Sequence, residues 1–234
     1  MKNETIYVLV HGSGLGGWCW DPVKALLETS GAKVYAPTLP DKSKTLSDNI
    51  KFITEFILSN NIQNCVLVGH SFGGMIITGV HDRLKNRVRK LIYLDAAVPN
   101  HGDDFASHIP GLSDEAAQKR RDAFQNLSID GVWVQPFAPE LAGISDQKEI
   151  ARVAQLSRPF PLKTWLEPIE LSSAAEHAVE KTYILATSPP TDLMGYPKHG
   201  AFAKQNRDWT YYEIDCGHAA MLIKPERVAE LLLA

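Results

Sequence analysis

Cysteine is scarce in this chain of 234 residues, and its three copies are odd in number and far apart (Cys19, Cys65, Cys216). That excludes a disulfide framework and any cysteine-based zinc spacing. Cys65 stands directly before an apolar run and reads as a small buried hydrophobe. Long apolar stretches are also missing, so no membrane-spanning helix is expected. The start, Met1–Thr5, is short and polar and leads straight into an expected strand, so neither a signal peptide nor a lipidation motif is expected. A soluble, cytoplasmic protein is expected. Positive charge is not concentrated: the net charge is −3, and Lys119-Arg120-Arg121 is interleaved with Glu115, Gln118 and Asp122. This leaves no electrostatic case for nucleic acid or an anionic membrane as partner. The expected partner is a small-molecule substrate, with the protein a monomer or homodimer. Repeats and low-complexity tracts are absent too.

What is present is a core: 44% of the residues are apolar, enough for a single α/β domain over residues 1–234. Strands are expected at Ile6–Val10, Lys33–Ala36, Cys65–Val68 and Val88–Leu94. Helices are expected between them, at Trp18–Glu28, Thr45–Ser59 and Gly74–Leu84. This alternation predicts a mostly parallel sheet flanked by helices, with its site beyond the carboxyl ends of the strands. From about 100 to 180 the alternation stops, prolines become frequent and aromatics scatter, which reads as a small helical cap insertion. Strands at Thr182–Ala186 and Tyr211–Ile214 and helices at Phe202–Asn206 and Pro225–Leu233 then resume the pattern.

Gly69-His70-Ser71-Phe72-Gly73 lies between a buried strand and an apolar helix and fits the G-x-S-x-G nucleophile elbow. A strand turning at once into a helix forces the bend residue into a strained conformation and pushes Ser71 Oγ out at the sheet edge. A serine hydroxyl needs a base to take its proton. His218, in Asp215-Cys216-Gly217-His218 after the penultimate element, is the histidine best placed for that role. His11 is assigned to shaping the glycine loop, His81 to an exposed helix face, and His101, His108, His177 and His199 to surface roles. Acyl transfer also needs donors for the oxyanion; the backbone N–H groups of Phe72 and Ser13 fit. Two carboxylates compete to orient His218: Asp95, at the end of the strand after the elbow helix, and Asp192, 26 residues before His218. Asp215 is too close in sequence to reach round. Gly12, His70, Trp133 and Trp165 are expected at the substrate pocket, with Phe137 beside them. Gly12-x-Gly14-x-x-Gly17 also matches a dinucleotide loop, but the second strand ends Tyr35-Ala36-Pro37-Thr38-Leu39-Pro40 without the acid that would hold a ribose. No cofactor and no metal are implied.

With these residues in place, the whole chain resembles the α/β-hydrolase superfamily. His11-Gly12 through Trp20, Gly69–Gly74, Tyr93–Pro99 and Gly217-His218 resemble the small bacterial esterases related to the plant methylesterase and hydroxynitrile lyase group. The resemblance implies a Ser–His–acid triad, a two-donor oxyanion hole and a cap over an apolar pocket. Position 95 resembles the acid position of haloalkane dehalogenases. Departures argue against sister activities: Ala219 follows His218 where hydroxynitrile lyases carry Lys, Gly12 stands where they carry Thr, and Ser71 replaces the dehalogenase Asp nucleophile. The expected activity is cleavage of a carboxylic ester of a small, largely apolar substrate through an acyl-enzyme on Ser71. A lyase, cyclase or acyltransferase of specialised metabolism using the same Ser–His site, or a non-enzymatic ligand-binding member of the fold, is the alternative.

Overall fold

The computed structural model describes residues 4–41, 44–172, 179–188 and 194–234. The first half runs β1 (Ile6–Val10), α1 (Asp21–Thr29), β2 (Lys33–Tyr35), α2 (Leu46–Ser59), β3 (Cys65–Ser71), α3 (Gly73–Arg83) and β4 (Val88–Ala96). The intervening segment holds α4 (Asp114–Leu127), β5 (Ser128–Ile129), β6 (Trp133–Val134), α5 (Gln147–Leu156), β7 (Phe160–Pro161) and α6 (Lys163–Leu166). The chain closes with β8 (Glu180–Ala186), α7 (Tyr196–Gln205), β9 (Trp209–Ile214), α8 (Ala220–Ile223) and α9 (Pro225–Leu233).

Six strands pair in the order β2-β1-β3-β4-β8-β9, and every pairing is parallel. The sheet is covered on both faces, so β3 is buried from Cys65 to His70 and reads as a continuous apolar run rather than an alternating one. Side chains still alternate between two cores. Val8, Val10 and Leu67 pack with α2 and α3 on one face. Tyr7, Leu9, Val66 and Val68 pack with α1 and α9 on the other. Helix α2 begins at a capping box in which Thr45 and Asp48 satisfy each other's backbone N–H groups.

Two differences from the sequence reading bear on the site. The intervening segment is not purely helical: β5, β6 and β7 form a small antiparallel sheet, pairs too short to announce themselves by alternation. Helix α7 starts at Tyr196, well before the Phe202 start expected, because Pro197 occupies its first turn, where a missing N–H costs nothing.

Candidate active site

The carboxyl ends of β1, β3, β4 and β8 meet at one rim. Ser71 stands at the bend between β3 and α3 with φ +57°, a left-handed conformation that a non-glycine residue adopts only when its surroundings force it. The surroundings do so by close approach. A Cβ on Gly69 would lie 2.7 Å from the Gly73 backbone, and one on Gly74 would lie 2.0 Å from the Ala97 carbonyl. Only glycine lets strand, bend and helix pack this tightly.

Asp95 is fully buried near the end of β4, also in the left-handed region at φ +43°. Its Oδ2 accepts from His218 Nδ1 at 2.6 Å, and its Oδ1 accepts from the Ala186 N–H at 3.3 Å. The bond fixes the imidazole tautomer, leaving Nε2 as the lone-pair nitrogen. Asp192 lies outside the described residues. His70, buried beside the nucleophile, donates from Nε2 to the His218 carbonyl at 3.0 Å, and the two rings lie 4.4 Å apart between centroids. His70 thus holds the backbone that carries His218. Burial, then the neighbouring His218, pushes its pKa well below the ordinary histidine value, so it donates as a neutral ring.

The loop after β1 passes directly over the serine: a Cβ on Gly12 would sit 2.8 Å from Ser71 Cβ. His11 shapes this loop. The Leu39 N–H donates to His11 Nε2 at 3.0 Å, so Nδ1 carries the proton and donates to the Gly12 carbonyl at 2.8 Å. Holding that carbonyl one way turns the Ser13 N–H of the same peptide unit the other way. Burial lowers the His11 pKa to about 4, which keeps this arrangement neutral.

A cavity of about 380 Å³ opens onto Ser71, His70 and His218, walled by Phe105, Phe137, Leu141, Trp165 and Leu222 among others. Trp165 is both wall and tie: its Nε1–H donates to Ser13 Oγ at 2.8 Å, linking α6 to the loop. A second cavity of about 480 Å³ shares Gly12–Leu15 and contains Phe72 and Trp133. Trp133 therefore lines the neighbouring space and not the serine's own, held by strand pairing in β6 with Lys44 Nζ 4.5 Å over its ring.

Ser71 Oγ has a partner that sequence reasoning missed. Among the described residues its hydrogen bond runs to Tyr196 Oη at 3.0 Å, and none joins it directly to His218. The Tyr196 ring stacks on the His218 imidazole, 5.2 Å between centroids and 9° between planes. The tyrosine was hidden because it directly precedes a proline, a position that reads as loop, although Pro197 in the first turn is itself a helix-start signal that could have found it. Two histidines expected at the surface, His108 and His199, are instead buried. They bond to each other at 2.8 Å behind Tyr196 and Phe105. The aromatic rings of Phe105, Tyr183 and Tyr196 pack against them, a tertiary cover that local polarity does not reveal. His177 lies outside the described residues. Among those described, no helix is long and apolar enough to cross a membrane.

Comparison with known proteins bears on the fold and on the class of reaction. The model of the "Alpha/beta hydrolase family" matches residues 7–231. The chain is 33% identical to a carbendazim hydrolyzing esterase of Nocardioides sp. (strain SG-4G), over 97% of this chain and 98% of that one. It is 27% identical to methylesterase 7 of Arabidopsis thaliana, over 99% and 96%. Among solved structures, an extracellular alpha/beta-hydrolase from a Paenibacillus species superposes with a TM-score of 0.79 at 22% identity, covering 98% of both chains.

Proposed function

This chain belongs to the alpha/beta hydrolase family, and on that premise we propose that it cleaves small, largely apolar carboxylic esters through an acyl-enzyme on Ser71. Ester hydrolysis is what the family and its esterase and methylesterase relatives support. The observation that carries the finer reading is the 2.6 Å bond between His218 Nδ1 and the buried Asp95 carboxylate, set beside a strained serine.

In this reading a small shift of the Ser71 side chain closes Oγ on His218 Nε2 as substrate enters while Oγ stays within reach of the Tyr196 hydroxyl; such contacts commonly tighten only in the substrate complex. His218 takes the hydroxyl proton while Oγ attacks the ester carbon. The oxyanion that forms is met by the N–H groups of Ser13 and Phe72, aimed by the Gly12–His11 contact and by the helix start. Each such donor contributes on the order of 3 kcal/mol to lowering the barrier. His218 then passes its proton to the leaving alkoxide, and water repeats the sequence to release the acid. Asp95 holds the ring and stabilises its charged form. The aromatic and aliphatic walls of the serine's cavity favour an apolar substrate of limited size.

Replacing Ser71 by Ala tests the reading. Hydrolysis of p-nitrophenyl acetate is expected to fall to background while the thermal melt is unchanged. Undiminished turnover in that variant contradicts it.

A further inference from the structure

We propose that Tyr196 is a further catalytic residue, a fixed proton donor to Ser71 Oγ that speeds release of the serine in deacylation. The inference rests on the acyl-enzyme reading above. The Tyr196 side chain is fully buried, and among the described residues its hydroxyl is hydrogen-bonded to Ser71 Oγ at 3.0 Å. A buried phenol whose O–H found no acceptor would be strongly penalised. Were the serine to donate, the phenol proton would be stranded; so the tyrosine donates, and the serine proton is left for His218. Burial also pushes the phenol pKa above its ordinary value, so the group keeps its proton throughout turnover.

Position limits what Tyr196 does. It does not line the cavity, so it meets the nucleophile from the protein side and leaves substrate to the other groups. Its ring lies flat against the His218 imidazole, and its backbone carbonyl accepts from the Tyr183 hydroxyl at 3.3 Å. The hydroxyl is therefore aimed by packing on both sides.

A donor fixed on Oγ acts unequally on the two half-reactions. In acylation it draws electron density from an oxygen that must attack. In deacylation, water attacks the acyl carbon as His218 takes one of its protons. The C–Oγ bond then breaks, Oγ leaves with the electron pair, and His218 returns the proton to it. Tyr196 stabilises the charge on that departing oxygen without giving up its own proton. The second step gains most.

The test is Tyr196→Phe followed by rapid mixing with p-nitrophenyl acetate. The expected result is a kcat lower by about ten- to a hundredfold, the range for a hydrogen bond to a charged group. KM falls with it, kcat/KM is nearly kept, and a stoichiometric burst of p-nitrophenol appears. An unchanged kcat, or equal losses in kcat and kcat/KM with no burst, overturns the assignment. Should the Phe variant melt early, site-specific fluorotyrosine at 196 gives the opposite reading: a more acidic phenol accelerates deacylation, and no acceleration overturns it. Labelling by a fluorophosphonate separates the two layers. Loss of the burst with Ser71 still labelled removes only the role of Tyr196, whereas no labelling of Ser71 in the wild type removes the acyl-enzyme itself.

Discussion

Replacing Asp95 by Asn changes one oxygen for a nitrogen at a fully buried position and leaves the shape of the side chain almost intact. The charge is what is lost. When His218 takes a proton, its ring becomes a cation whose centre lies roughly 4 Å from the carboxylate. At the effective dielectric constant of about 20 that suits protein sites, such a pair attracts by about 4 kcal/mol. Each 1.36 kcal/mol is tenfold in rate, so the charge alone accounts for about a thousandfold. The amide adds a second fault: its NH2 can donate to Nδ1, forcing the proton onto Nε2, where the serine proton must go. Together these place the loss in kcat between about 10³- and 10⁴-fold. The assay is steady-state hydrolysis of p-nitrophenyl acetate, with fluorophosphonate labelling of Ser71 as a check on the elbow and circular dichroism as a check on the fold. Asp192→Asn, run beside it, is expected to keep near wild-type turnover. A folded Asp95→Asn enzyme that loses less than about tenfold refutes the reasoning, as does a collapse of activity in Asp192→Asn.

Two further outcomes follow from the same geometry. Gly12→Ala places a methyl group 2.8 Å from Ser71 Cβ, so loop or serine must shift; a fall in kcat on the order of 100-fold is expected from displaced reacting groups, and wild-type kinetics would show that the loop has slack. The buried histidines make stability depend on pH: His11 titrates near 4 and His199 near 3 in the fold, and His70 and His108 are also shifted down by burial, while the unfolded chain binds those protons near 6.5. Their contribution is complete above pH 6.5 and is lost as pH falls towards 4; His11 alone accounts for roughly 2 kcal/mol at pH 5. Urea titrations at pH 7 and pH 5 are expected to show this loss, and equal midpoints would rule it out.

The sheet, the elbow and the base were legible in the sequence because each is written in neighbouring residues. Val66-Leu67-Val68 followed by Gly69–Gly73 encodes a buried strand and its turn within a few positions. Asp95 was visible as a buried-strand carboxylate needing a partner, but its competitor could be weighed only by distance through space. Sequence holds no measure of the 2.6 Å that joins residues 95 and 218. Tyr196 was lost for a related reason: its contact is with Ser71, 125 positions away, and a tyrosine before a proline reads as a loop residue until the helix behind it is seen. The small sheet of β5, β6 and β7 and His108 belong to a segment without periodicity, and His199 meets that segment from helix α7; tertiary packing decides burial in both places.

Central to the proposed reaction is a covalent bond between substrate and the Ser71 hydroxyl. The measurement that reaches it most directly is mass spectrometry of an acid-quenched reaction with a slowly hydrolysed aryl ester, followed by peptide mapping. An acyl group on the peptide containing Ser71, present during turnover and absent from Ser71→Ala, is the predicted result. Turnover with no acylated peptide, or with the acyl group on another residue, would contradict it.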